Sequence, residues 1–88
     1  MDFTGYFLYI TDDNEILAST IEDKIYVIIF KDVELFVKYM KHKNIPIITE
    51  NFQEINNSEE FIMQMLIEKC IIATPIEDDL DTLGVLFE

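Results

Sequence analysis

The sequence contains no arginine and no tryptophan, and its 88 residues include one cysteine, one histidine, two glycines and two prolines. Without arginine, only six lysines could bind phosphates, and they stand against eighteen carboxylates, so we expect no direct binding of DNA or RNA. A single cysteine excludes an internal disulfide bond and agrees with a reducing compartment. The two glycines form no phosphate-binding pattern.

The sequence also lacks a long apolar run. The longest, Ile25 to Phe30, is far shorter than the roughly 20 residues of a membrane-spanning helix. The start Met1-Asp2-Phe3 lacks the basic region of a signal peptide. A strongly acidic chain is repelled by anionic lipid surfaces. The sequence therefore predicts a soluble, cytoplasmic protein that does not bind membranes.

What the chain has is negative charge and apolar side chains. Its net charge is -12, half of its residues are apolar and 12% are aromatic. This apolar content is enough to offset the entropy lost on folding, so we expect an ordered protein and not an acidic tail. The length suits one domain that spans residues 1–88.

The first third of the chain predicts three strands joined by two turns. Phe3 to Ile10 is aromatic and strand-favouring, and the polar tract Thr11 to Asn14 favours a turn. Glu15 to Thr20 is a short second strand in this interpretation. The run from Ile25 to Phe30 predicts a strand that is covered on both faces, hence central in its sheet. A three-stranded meander is the simplest arrangement.

The period of the apolar residues then changes to that of a helix. The apolar stripe of this predicted helix consists of Val33, Phe36, Val37 and Met40. Asp32 can cap its first turn, and Asn44 can end it in a left-handed conformation. The next segment, Ile45 to Thr49, predicts a short extended stretch in which Pro46 marks an edge or a bend. Residues 50–56 are ambiguous.

A second helix is predicted after Asn57 and Ser58, either of which can cap it. Its predicted buried face consists of Phe61, Ile62, Met65 and Leu66. Two final strands, Cys70 to Thr74 and Thr82 to Phe87, are predicted to form a hairpin around an acidic loop, Glu77 to Asp81. The whole predicts an α+β fold of order β-β-β-α-β-α-β-β, with an antiparallel or mixed sheet of five to six strands and two helices on one face.

Carboxylate clusters are the first candidates for chemistry. Neither Asp12 to Glu15 nor Glu77 to Asp81 has the alternating ligands, central Gly and terminal Glu of a calcium loop. His42 and Cys70 are each single, so a zinc site would lack most of its ligands. Cys70 belongs to a predicted apolar strand, where a small buried thiol is more usual than an activated thiolate. We therefore expect no cofactor, no metal and no enzymatic activity.

The first predicted strand is apolar on both faces. Its alternation places Phe3, Phe7 and Tyr9 on one face, and Tyr6 and Leu8 on the other. An exposed apolar face of this kind usually marks an interface. The segment from Phe3 to Ile10 is therefore a candidate for homodimer formation.

The order of these elements resembles a family of small, acidic bacterial proteins of unknown function (DUF2750-like). The similar positions are Tyr9, Asp12, Asp13, Val27 to Phe30, Val33, Phe36, Phe61, Leu66, Ile67, Ile71 to Pro75 and Gly84 to Leu86. Where that family has Trp followed by Pro before the first helix, this chain has Phe30 and Lys31. Because the family has no defined catalytic residues, the resemblance implies no site.

The charge leads to a functional hypothesis. Dense carboxylates accelerate encounters with cationic surfaces, so we expect a non-catalytic interaction module, in concrete form an inhibitor or immunity-type protein that docks on a basic protein partner. The candidate charged face consists of Asp12, Asp13, Glu77, Asp78, Asp79 and Asp81. Three alternatives stay open: a DNA mimic from a phage or mobile element, a homodimeric accessory protein, and an acidic surface that only provides solubility.

Overall fold

The computed structural model describes residues 1–88 and contains six strands, two α-helices and a short 3-10 helix. In chain order the elements are β1 (Phe7–Tyr9), β2 (Ala18–Ile21), β3 (Lys24–Ile28), α1 (Val33–His42), the 3-10 helix (Thr49–Asn51), β4 (Phe52–Glu54), α2 (Ser58–Ile67), β5 (Cys70–Ile76) and β6 (Asp79–Phe87). The predicted α+β class is confirmed. Both helices have ten residues, and neither has the length and apolar character that crossing a bilayer requires.

Four strands form a mixed sheet in the order β2-β3-β5-β6. At its centre β3 and β5 run parallel, with Val27 opposite Ile72 and Ile28 opposite Ala73. The outer strands β2 and β6 pair antiparallel with them. The apolar run that predicted a central strand lies at the centre, because strands in this position are covered on both faces.

The strands β1 and β4 form a separate antiparallel pair, with Leu8 opposite Gln53. The pair is joined to the end of the central strand by a bridge in which Phe7 and Phe30 exchange two backbone hydrogen bonds of 2.8 Å. The predicted single sheet and three-stranded meander are thus replaced by two sheets, since β1 meets β2 only at the bridge between Ile10 and Ile16. The partner of β1 comes from the ambiguous segment 50–56, which no local pattern could indicate.

The two helices pack on opposite faces of the mixed sheet, and the prediction that they share one face is wrong. Ile28 belongs to a core with Phe36 and Met40 of α1. Its neighbours Val27 and Ile29 belong to a second core, with Phe61 and Met65 of α2. Because β3 is apolar on both faces, each face must be covered, and one helix covers each.

Helix α1 begins and ends as its sequence predicts. The Asp32 carboxylate accepts the Leu35 amide at 2.8 Å, and Asn44 adopts a left-handed backbone with φ of 56°. The buried stripe is rotated from the predicted one. Leu35, Phe36, Tyr39 and Met40 are buried, whereas Val33 is 52% exposed.

Helix α2 is capped by Asn57, whose side chain accepts the Glu60 amide at 3.1 Å. Phe61 and Met65 are buried as predicted. Leu66 is 50% exposed, so its predicted burial is wrong, and Ile62 is half-buried. The buried stripe of α2 is therefore narrower than the predicted one. This short helix covers only part of its sheet face.

The segment between the helices differs from its prediction. Ile45 to Ile48 does not form a strand, and the strand that separates the helices is β4. Pro46 has no amide to donate to a ladder. Instead, the Tyr9 hydroxyl donates to the Pro46 carbonyl at 3.2 Å and accepts the Ile48 amide at 2.9 Å.

The predicted closing hairpin is confirmed as β5 and β6, but its acidic loop is shorter than expected. Only Glu77 and Asp78 form the turn, and Asp79 and Asp81 belong to β6. The strand extends this far because Asp79 pairs with Ile76 and because Leu80 packs against the core beneath α1. The acidic side chains are therefore held in strand positions close to α1.

Candidate functional site

The six acidic residues predicted to form a charged face lie in two places. Asp12 and Asp13 stand in the turn that follows β1, and the remaining four stand in the turn and first residues of the β5–β6 hairpin. All six are exposed. Their partners, however, differ from one to the next.

Glu77 is paired with two lysines of the α1 region. Its carboxylate accepts a hydrogen bond from Lys38 Nζ at 3.3 Å and lies 3.5 Å from Lys31 Nζ. The hydrogen bond from Lys38 and the charge of Lys31 hold the pKa of Glu77 below its usual value. The same hydrogen bond raises the pKa of Lys38. Lys38 also pairs with Glu34, one turn earlier in its helix.

Asp81 is paired with the end of α1. One of its oxygens lies 2.7 Å from Lys43 Nζ and 3.0 Å from His42 Nε2. The hydrogen bond from Lys43, followed by that from His42, lowers the pKa of Asp81, and the same contact with Asp81 raises the pKa of Lys43. Glu77 and Asp81 thus fasten the hairpin to α1 through ion pairs with Lys31, Lys38 and Lys43.

The other four predicted residues make no ion pair. Asp79 accepts hydrogen bonds from the Thr82 hydroxyl at 2.7 Å and from the Asp81 amide at 3.3 Å, so it shapes the start of β6. Asp78, Asp12 and Asp13 have neither a hydrogen bond nor an ion pair through their carboxylates. The structure does not collect the six residues into one uniform charged face.

Positive charge is unevenly distributed over the chain. Residues 31–49 and 70–88, which we call the α1 half, carry four of the six lysines against seven carboxylates. Residues 1–30 and 50–69, which we call the α2 half, carry eleven carboxylates against two lysines, a net charge of nine negatives. All five ion pairs lie within the α1 half. The carboxylates of the α2 half are therefore free to meet a partner.

A groove is lined by residues of the α2 half together with Cys70. Two adjoining clefts of about 290 and 340 Å³ share Ile16 and Gln64 in their walls and run along one flank of α2. We call them together the α2 groove. Its lining residues are Leu8, Ile10, Asn14, Glu15, Ile16, Ala18, Ile25, Val27, Gln53, Ile55, Asn56, Asn57, Glu60, Phe61, Gln64, Met65, Glu68 and Cys70.

The α2 groove combines an apolar floor with an acidic rim. The floor is formed by strand and turn residues such as Leu8, Ile16 and Ile25, and the rim carries three carboxylates, Glu15, Glu60 and Glu68. No lysine lines it. Local sequence patterns do not indicate this site, because the three glutamates are separated along the chain and line one groove only when α2 packs beside β2. A partial signal was available, since Glu60, Gln64 and Glu68 recur every four residues on one helix face.

Cys70 lies at one end of the α2 groove. Its thiol is half-buried and points to the Glu68 carbonyl at 3.7 Å. Burial, and secondarily the negative charge of Glu68, raises the pKa of this thiol above its usual value. The thiol is therefore protonated at neutral pH. No group of three or more His, Cys, Asp or Glu side chains converges to hold a metal ion.

The first segment of the chain, on which the dimer expectation rests, is covered in part by the chain itself. Phe7 and Tyr9 pack in the core beneath α1, and Tyr6 and Leu8 pack against the core beneath α2. Both edges of the segment also form backbone hydrogen bonds, to Phe30 on one side and to β4 and its neighbours on the other. Leu8 and Ile10 nevertheless line an open cleft, so the homodimer through this segment stays a prediction.

The fold and this surface define an acidic α+β protein with a grooved helix flank. Comparisons with protein-family models, with curated proteins and with solved structures find no match to this chain. The resemblance to small acidic bacterial proteins therefore stays a prediction.

Proposed function

We propose that this protein is a non-catalytic acidic interaction module that docks on a basic surface of a partner protein, as an inhibitor or immunity-type protein does. The observation that carries the proposal is the separation of charge within the molecule. Every ion pair lies in the α1 half, while the eleven carboxylates of the α2 half are unpaired.

This separation has an electrostatic consequence. An ion-paired carboxylate adds little to the field that a distant cation experiences, because its lysine cancels it. The α2 half therefore dominates the attraction of a basic partner and orients it during the encounter. Within the predicted face, Asp12 and Asp13 belong to this half, and Asp78 and Asp79 add unpaired charge at the hairpin turn.

The proposal places the protein in the cytoplasm. The half-buried Cys70 has no cysteine with which to form an intramolecular disulfide, and a reducing compartment keeps such a thiol in its reduced form.

The proposal is tested by affinity capture from a lysate of the source cell at about 0.05 M and about 0.5 M salt, since the longer Debye length at low salt preserves charge attraction. An unrelated acidic protein of similar size and charge serves as control bait. We expect a basic protein, identified by mass spectrometry, that this chain captures at low salt and releases at high salt, and that the control does not capture. Recovery of no specific partner at either salt would overturn the proposal.

A further inference from the structure

We propose that the α2 groove is the docking site for a cationic amphipathic helix of the partner protein. This inference rests on the proposed function and specifies where, and with what kind of segment, the partner is bound.

The groove is an uncovered part of a sheet face. Ala18 lies opposite Val27, and Thr20 lies opposite Ile25, so these four side chains share the face on which α2 packs. Val27 is only 4% exposed beneath α2, whereas Ile25 is 42% exposed and Ala18 is also open to solvent. Helix α2 thus covers one part of this face and leaves a strip of it beside itself.

The dimensions of the strip suit a helix. Along α2 the rim extends from Glu60 to Glu68, eight residues of helix or about 12 Å, which matches two turns of an incoming helix. A helix laid beside α2 would pack on the strands at the usual helix-to-sheet distance and complete the layer. Its apolar stripe would cover the exposed Ile25 and the floor around Ile16.

An extended peptide in the groove could pair with the sheet only along the outer edge of β2, because the rest of the groove offers side chains. Beside the groove, the Ile55 amide is bonded to the Tyr6 carbonyl and the Leu17 amide to the Tyr9 carbonyl, at 2.8 Å each. An added strand needs free amides and carbonyls, whereas a helix satisfies its own backbone groups. The groove follows α2 and not the edge of β2, so its floor and rim favour a helix over an added strand.

The negative charge of the rim favours a positively charged helix as the occupant. Glu60, Gln64 and Glu68 form a row along α2, and Glu15 stands at the opposite wall. None of these carboxylates makes an ion pair within the chain. Lysine or arginine residues flanking the apolar stripe of the incoming helix would meet them, whereas an acidic helix would be repelled.

The test uses a synthetic peptide of roughly 18 residues with leucines on one helical face and lysines on the other, long enough to form a helix when bound. The ¹⁵N-labelled protein is titrated with it and the amide shifts are mapped by NMR. We expect shifts concentrated on residues that line the α2 groove, a gain of peptide helicity in circular dichroism, and slower alkylation of Cys70. A peptide with glutamate in place of lysine should not bind.

A matched pair of variants separates the groove from net charge. Glu60→Gln with Glu68→Gln removes two rim charges. At position 60, three residues after the N-cap Asn57, glutamine is favoured as glutamate is, so the start of α2 should be preserved. Glu22→Gln with Glu50→Gln removes two exposed charges outside the groove. We expect the rim pair to weaken peptide binding by about fivefold and the control pair by less than about twofold.

Several results would overturn the inference. One is that the two variant pairs weaken peptide binding equally, and another is that the amide shifts centre on the α1 half. A third is that a peptide with a central proline, which cannot form the helix, binds as tightly as the original peptide. The last is that the peptide does not bind at all. None of these depends on whether a basic partner is captured from the lysate. A basic partner captured without groove involvement would leave the acidic interaction module standing and remove only the docking site.

Discussion

The ammonium group of Lys43 lies 2.7 Å from the carboxylate of Asp81, which joins the last turn of α1 to the second strand of the closing hairpin. A second clamp forms where Lys31 and Lys38 meet Glu77. Through these contacts Glu77 and Asp81, two residues of the predicted charged face, form ion pairs within the chain. The charge available to a partner is consequently concentrated in the α2 half.

The double variant Glu77→Gln with Asp81→Asn should be less stable than the wild type at neutral pH, because both clamps lose their ionic partners. Contact with lysine lowers the folded-state pKa of each carboxyl group. Such a group stabilises the fold above its unfolded-state pKa, and this contribution is lost as the pH falls through the folded-state pKa. Chemical denaturation of both proteins should therefore show a stability difference that shrinks to nothing in strong acid.

The same difference should also shrink in strong base. The pKa values of Lys38 and Lys43 are raised, so their contribution is present below the unfolded-state value and is lost as the pH rises through the folded-state value. A stability difference that is constant across the whole pH range would contradict the clamp.

Phe36→Ala should destabilise the protein by about 3–5 kcal/mol, as large-to-small changes of buried aromatic residues do. Phe36 is 2% exposed, and its ring lies 4.2 Å from that of Phe52 and 5.2 Å from that of Phe30, measured between centroids. Val33→Ala on the same helix is the control, since Val33 is 52% exposed. Urea denaturation should show a change within about 0.5 kcal/mol for Val33→Ala. Equal losses of unfolding free energy in Phe36→Ala and Val33→Ala would show that Phe36 is not part of the core beneath α1.

Cys70 should react with iodoacetamide more slowly in the folded protein than in the urea-unfolded chain at the same pH. Burial and the charge of Glu68 raise its pKa, so less of the reactive thiolate is present. Mass spectrometry of the alkylated protein over time gives the two rates. A folded-state rate equal to or above the unfolded-state rate would show that the thiol is activated and that its surroundings differ from those described.

Added salt should stabilise the protein at neutral pH. With a net charge of -12 and most carboxylates unpaired, mutual repulsion opposes the compact state, and salt screens it. Thermal melts at increasing sodium chloride should show a rising midpoint at pH 7 and little change near the isoelectric point of about 4.1. A midpoint that falls with salt at pH 7 would mean that the ion pairs of the α1 half outweigh the repulsion.

Local sequence signals were sufficient for the elements whose ends are set by nearby residues. Asp32 and Asn44 delimit α1 by capping and by a left-handed conformation, and Asn57 begins α2. The apolar run that ends at Phe30 indicated the centre of the sheet, because only a strand covered on both faces tolerates such a run.

Long-range relationships could not be predicted in the same way. The pairing of Leu8 with Gln53 joins segments about half the chain apart, and neither segment carries a pattern that specifies the other. The opposite placement of the helices follows from the alternation of Ile28 and Ile29, which sequence alone leaves open to two solutions. The acidic tract Glu77 to Asp81 looked free in sequence because its lysine partners are nearly forty residues away.

The candidate site shows the same division. Abundant carboxylates could be read from composition, but which of them are free depends on where the lysines fold. Glu15 and Glu68 come together only through the packing of α2 beside β2. The α2 groove is thus a tertiary feature with only the row of Glu60, Gln64 and Glu68 visible in the sequence.

The central claim is that the α2 half carries the charge that binds the partner. The most direct measurement compares the affinity of the captured partner for two variants with equal loss of charge, Glu60→Gln with Glu68→Gln and Glu77→Gln with Asp81→Asn. The account predicts that the first pair weakens binding by about fivefold and that the second leaves it within about twofold of the wild type. Stronger weakening by the second pair would contradict the account and assign the binding surface to the hairpin beside α1.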